Sequence, residues 1–262
     1  MADVTADRGA AFKAERADML AFCTGLDPAE WRMDSRCDGW RIHDVVAHLG
    51  TGCKAMFSPA AAKLMRANDI EAANDLLVDT RRDRAAPDVL AEYRRWSAVA
   101  AAIFPVMARR PLGGVQMRLA DLGRFPLRVL TGALVFDHHT HLRHDMAPAL
   151  GRPAPVTDAN RMTVVGEWMM AVLSNQVRAA APAWLDRPLG ITLTGPGGGT
   201  WRVVPEGAVV RGPADDCAAQ ITGAACEFPE WGTRRARWQD RDVRISGDAD
   251  YATAFLDTVN VI

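Results

Sequence analysis

Ten residues carry most of the chain's capacity for chemistry. Phe136-Asp137-His138-His139-Thr140-His141-Leu142-Arg143-His144-Asp145 holds four of the six histidines and two carboxylates. Asp137 and His141 stand four positions apart, which on a helix puts them one turn apart on one face. A carboxylate and an imidazole so placed can chelate one divalent ion. A third ligand from a second helix would leave one coordination position for a water or a substrate, the pattern of a catalytic rather than a structural zinc. The remaining histidines, His43 and His48, lie about ninety residues earlier, in Asp38-Gly39-Trp40-Arg41-Ile42-His43-Asp44-Val45-Val46-Ala47-His48-Leu49. His48 is the obvious third ligand. His144 or Asp145 is a fourth ligand or a group that fixes the tautomer of His141.

Each residue also has a plainer explanation. A single histidine among apolar residues is ordinarily a core residue bonded to a carbonyl. Asp137 and His141 alone are an i,i+4 pair contributing only tenths of a kcal/mol. The surroundings of Asp137 argue for more. Leu127, Leu130 and Leu134 define an apolar stripe at ~100° per residue, and Asp137, His141 and His144 continue it. His139 points to the opposite side, and His138 and Asp145 lie at the stripe's edge. An unpaired carboxylate buried on that stripe would cost several kcal/mol, which a bound cation offsets.

The elements that must hold these groups are legible from periodicity. Phe12, Met19, Leu20 and Cys23 predict a helix over 5–25, ended by Gly25. Asp38-Gly39 is a turn, and Val45, His48, Leu49, Gly52 and Met56 predict a helix over 42–57 with His48 inward and His43 elsewhere. Residues 58–80 are Ala-rich and helical in part. Val89, Tyr93, Trp96, Ala100, Ile103 and Met107 predict a helix over 87–109, with a kink at Pro105. Gly113-Gly114 and Gly123 bracket a loop or hairpin, and Phe125-Pro126 opens the histidine-bearing helix, 126–147.

Composition shifts near 152–158. A helix over 157–181 is followed by β-rich runs, Ile191–Thr194, Trp201–Val204 and Ala208–Val210, which predict an antiparallel meander. Cys217–Ile221 and Val243–Ile245 are further strands, with helices near 224–232 and 248–259. We therefore divide the chain into a helical domain, 1–153, and an α+β domain, 154–262.

Lys+Arg 31 against Asp+Glu 32 gives a net charge of −1 and no electrostatic reason to expect nucleic acid or an anionic membrane as partner. No apolar run reaches the roughly 18 residues of a membrane span. Met1–Arg8 is acidic and polar, unlike a signal peptide. The five cysteines are odd in number and widely spaced, so a reducing cytoplasm suits them better than a disulfide framework. None has a histidine partner nearby in sequence, which leaves a cysteine nucleophile unsupported. Gly195–Gly199 lacks the spacing and the Lys-Ser/Thr of a phosphate loop and reads as a hairpin turn. Arg234, Arg235 and Arg237, between Trp231 and Trp238, are either a solvated face or an anion clamp.

Two segments resemble one family. Asp38-Gly39-Trp40 through Asp44-Val45-Val46-Ala47-His48-Leu49, and the carboxylate-x-x-x-His helix at Asp137–His141, are similar to segments of the mycothiol-dependent maleylpyruvate isomerases. The tail, Ala218–Trp238 and Val243–Asp248, resembles that family's second domain. The resemblance implies a DinB-like four-helix bundle with a metal site, followed by a smaller α/β, sterol-carrier-like domain with an antiparallel sheet. It implies His48, Asp137 and His141 as ligands, with Asp137 where many members carry Glu. It implies Arg234 or Arg235 as a catalytic arginine of the second domain. Mycothiol, a thiol of actinobacteria, is the implied cofactor beside a divalent metal, zinc by donor type. A small electrophile is the implied substrate, for isomerisation or S-transfer by a monomer or homodimer. The opposing hypothesis is a non-catalytic protein that keeps a metal for structure and binds an apolar small molecule.

Overall fold

Asp7 starts the first helix. Its carboxylate accepts from the Ala10 amide at 2.9 Å, and helix α1 then runs Arg8–Thr24 to Gly25. The structure is a computed structural model describing residues 6–261. The polar segment Met1–Thr5, with the first residue of the predicted helix 5–25, lies outside the described residues. The chain divides into two compact units, Met1–Val156 and Thr157–Ile262.

In the first unit α1 buries Phe12, Glu15, Met19 and Cys23, a single i,i+4 stripe. Glu15 is its one charged member. Helix α2 (Ile42–Ala55) is covered on all sides, because every residue from Ile42 to Thr51 is buried. Helices α3 (Ala60–Arg66) and α4 (Ile70–Asp79) occupy the Ala-rich stretch, α4 capped by Asp69. Helix α5 (Ala86–Met107) buries Val89, Tyr93, Ala100 and Phe104, and Pro105 falls in its last turn. α2 and α5 approach so closely that a Cβ on Gly50 would stand 3.3 Å from the Tyr93 backbone. A hairpin, β1 (Gln116–Leu119) with β2 (Gly123–Pro126), leads into α6 (Leu127–Thr140).

Past Thr140 the expected α-helix changes pitch. His141–Met146 form a π-helical turn before a last helical turn, α7 (Ala147–Ala149). Leu142 and Met146 on this turn pack into the core with Met19, Ile42, Val45, Leu49 and Tyr93. Met19 is fully buried there. Met19→Ala is expected to lower unfolding free energy by about 2–5 kcal/mol, read by urea titration. Met19 lies on α1, which carries none of the residues of the site described below, so metal content of the folded fraction should stay unchanged.

In the second unit α8 (Ala159–Ala180) begins at Asp158, whose carboxylate accepts from the Arg161 amide, and buries Met162, Val165, Met169, Val172 and Leu173. Strands β3 (Leu189–Thr194), β4 (Gly199–Val203) and β5 (Val209–Arg211) form the expected antiparallel meander. Gly195 and Gly197 turn it at positive φ, +86° and +75°, so the glycine run is a hairpin turn. β6 (Ala219–Ala224) then pairs parallel with β3, Ile191 opposite Ile221, and β7 (Arg244–Gly247) pairs antiparallel with β6. The sheet is thus mixed, in the order β5-β4-β3-β6-β7. The short helix α9 (Phe228–Gly232) and α10 (Ala249–Thr258) complete the unit, α10 capped by Asp248. Among the described residues no helix is long and apolar enough to cross a membrane.

Candidate metal centre

His48 projects from the middle of α2, Asp137 from the last turn of α6, and His141 from the start of the π turn. His48 Nε2 lies 3.8 Å from Asp137 Oδ2. The His48 and His141 rings meet edge to face, with centroids 5.1 Å apart. Both rings are almost covered, whereas the Asp137 side chain keeps 28% of its exposure. The cluster therefore opens to solvent along the carboxylate. Burial pushes the Asp137 carboxyl upward, and the His48 imidazole, with His141 and His138 behind it, more than reverses this. Asp137 ends below its ordinary value and stays ionised.

His141 is held from behind. Its Nδ1 lies 2.8 Å from Oδ2 of the fully buried Asp145. A carboxylate can only accept, so the proton sits on Nδ1 and the lone pair on Nε2, the tautomer a ligand requires. Asp145 lies four residues on, one turn away on the same face, and in the π turn His144 leaves the stripe that α-helical counting gave it. The His144 ring stands 6.3 Å from that of His139 instead.

Trp40, in the turn before α2, walls the pair, 5.0 Å from the His48 ring and 6.2 Å from the His141 ring. Its indole nitrogen donates to Asp75 on α4 at 2.8 Å. Cys37, in the same turn, has its Sγ 3.5 Å from His141 Nδ1. Sequence offered no sign of this contact, since 104 residues separate the two. Among the described residues, the group whose ligand atoms all lie within 4.8 Å of one another is Cys37, His141 and Asp145, not the trio predicted from sequence. In that trio the 3.8 Å between His48 and Asp137 is wider than the roughly 3.3 Å edge of a tetrahedral zinc site with nitrogen and oxygen ligands.

The other histidines serve packing. His43, off the stripe of His48, is buried too, bonded to Asp44 and to the Arg84 carbonyl, both at 3.0 Å. His138 donates to the Leu134 carbonyl at 2.7 Å and packs against Phe12 and Tyr93. Burial lowers its pKa to about 4, so it is neutral. His139 meets Glu15 at 2.9 Å, and Arg143 reaches the other oxygen of Glu15 at 2.6 Å and Asp18 at 2.9 Å.

In the second unit Arg234, at φ +58°, donates to the Val259 and Asp257 carbonyls at the end of α10. Arg235 donates to the Thr233 hydroxyl at 2.9 Å. Nε and one terminal nitrogen of Arg234 thus fasten the end of the last helix.

The donors suit a divalent cation of zinc type: two imidazoles, a carboxylate, an outer carboxylate behind one ring, and one face open. The sequence profile described as the mycothiol maleylpyruvate isomerase N-terminal domain matches residues 12–135. The match takes in His48 and stops short of Asp137 and His141. Two crystal structures of the mycothiol-dependent maleylpyruvate isomerase, one of a histidine-to-alanine variant, are similar in fold. They align at TM-scores of 0.58 and 0.57 with 13% and 14% identity, over 91% of this chain and 91% of theirs. No curated protein matches by sequence.

Proposed function

We propose, from the premise that residues 12–135 belong to the mycothiol maleylpyruvate isomerase N-terminal domain family, that this chain is an enzyme using a metal-bound thiol to attack a small electrophile. Mycothiol is the thiol, zinc the metal, and isomerisation or S-transfer the outcome. What supports this most is the convergence of His48 with Asp137 and His141. Nε2 of each imidazole and a carboxylate oxygen of Asp137 would hold the cation. A cation held there lowers the pKa of a bound thiol and supplies thiolate at neutral pH. Asp145 keeps the His141 proton on Nδ1 throughout. Trp40 shields the imidazoles from water, and the half-exposed Asp137 marks the side from which thiol and electrophile approach. The five cysteines are free, which accords with a reducing cytoplasm.

The test is cobalt substitution followed by mycothiol titration. A sulfur-to-metal charge-transfer band that grows and saturates with added thiol is expected. A spectrum unmoved by thiol would remove this proposal and leave a metal-containing binding protein. Metal analysis of the purified chain precedes it, at one divalent ion per chain. Asp145→Asn is expected to weaken metal binding about 10–100-fold by releasing the His141 ring, measured by competition with a chelating dye.

A further inference from the structure

We propose that Cys37, His141 and Asp145 form a second cation site, of thiolate, imidazole and carboxylate donors, that shares the His141 ring with the first. The donors belong to two elements already fastened together. The Arg36 amide donates to the Asp145 carbonyl at 3.1 Å, which fixes the Cys37 turn against the π turn. The turn itself is closed by the Ser35 amide on the Trp40 carbonyl, the Trp40 amide on the Cys37 carbonyl, and the Cys37 amide on the Ser35 hydroxyl. Cys37 therefore holds its place beside Nδ1 without needing to move.

The spacing fits a metal. Zn–S of about 2.3 Å and Zn–N of about 2.0 Å give a tetrahedral S–N edge of roughly 3.5 Å. Cys37 Sγ and His141 Nδ1 stand 3.5 Å apart. The 2.8 Å between Nδ1 and Asp145 is a hydrogen-bond length, which opens toward roughly 3.3 Å when a cation replaces the proton. Asp145 is fully buried and Cys37 half-buried, so the site is reached from the cysteine side. A thiolate beside an imidazole favours borderline and soft cations such as zinc or cadmium.

Proton bookkeeping makes the two sites exclusive. Ligation through Nδ1 requires the lone pair there, so the ring proton moves from Nδ1 to Nε2. The Cys37 thiol loses its proton to solvent as the S–metal bond forms. Nε2, now protonated, no longer serves the site with His48 and Asp137. One cation per chain is therefore bound at a time, softer ions being drawn to the sulfur.

Cadmium alone, with no thiol added, tests this on the metal-stripped chain. A sulfur-to-cadmium charge-transfer band saturating at one ion per chain is expected, lost in Cys37→Ser and kept in Cys226→Ser. Cys23 and Cys53 are buried, and burial pushes the Cys23 thiol up to about 12 and Cys53 higher still, so neither supplies the thiolate. An independent measurement uses the wild-type chain: cadmium should slow iodoacetamide labelling of Cys37 about tenfold, because only free thiolate reacts. Absence of the band together with unchanged labelling overturns the proposal, as does a band that survives Cys37→Ser. A cadmium band that mycothiol leaves unchanged upholds this site even if the thiol-dependent activity fails. In Cys37→Ser the cobalt band should arise only on adding thiol, which separates the two proposals.

Discussion

If the proposed function holds, replacing His141 by alanine is expected to abolish metal retention and to lower thiol-dependent turnover of the electrophile by at least about 100-fold. Two losses combine. Removing the imidazole takes away one of three ligands, so the cation falls to the weak affinity of His48 and Asp137 alone. Without it a thiol of ordinary pKa is only a few per cent thiolate at neutral pH, and the thiol is no longer held in line with the electrophile. The variant also leaves Asp145 buried without the ring it faces at 2.8 Å, which by itself would reduce stability. His48→Ala separates these effects, because the carboxylate that faces His48, Asp137, keeps 28% of its exposure and is solvated when the ring is gone, unlike the fully buried Asp145. It should lose metal and turnover equally while unfolding at close to the wild-type temperature. Wild-type turnover in either variant, after metal analysis, would remove the proposed ligand set.

Glu15→Gln is expected to destabilise the first unit by about 3–5 kcal/mol, because it leaves the Arg143 guanidinium buried against a neutral amide. Glu15 is fully buried on the apolar face of α1, and it joins that helix to α6 through His139 and to the π turn through Arg143. Asp18, partly exposed, compensates only one arm of the guanidinium. Thermal and urea unfolding read the loss, which at this size amounts to roughly 10 °C in midpoint. The pH dependence carries a sign. Burial pushes the Glu15 carboxyl up most strongly, but His139 and Arg143 together outweigh it, and the folded pKa lies below the ordinary value. A carboxyl depressed in the folded state stabilises fully above its unfolded pKa of about 4.3, and that stability is lost as pH falls through the folded pKa. The wild type should therefore lose stability below about pH 4, and Glu15→Gln should lose less over that window. Parallel acid curves for the two chains would show that Glu15 is not the titrating group.

Much of this was readable before folding, because it depends on neighbours in sequence. Asp7, Asp158 and Asp248 start helices through bonds that reach three residues ahead. The one-turn spacing of Asp137 and His141, and the inward face of His48, follow from helical pitch. Local counting put His43 off the buried stripe of α2 without saying what it meets. Other elements cover that helix all round, and the Arg84 carbonyl meets the ring. That counting went astray at His144, where α-helical spacing was carried past Thr140 into a π turn.

The sequence by itself determined which residues share a helix face, where helices begin, that a meander follows, and that a carboxylate and an imidazole stand one turn apart. Those are consequences of backbone pitch and capping, set within a few residues. Only the tertiary structure decided that Asp145 rather than His144 backs His141, that Cys37 lies against the same ring, that Glu15 answers His139 and Arg143, and that β6 joins β3 in parallel. The first is a choice between two neighbours about one turn from His141, and the others turn on how separate elements pack, which leaves no trace in local periodicity.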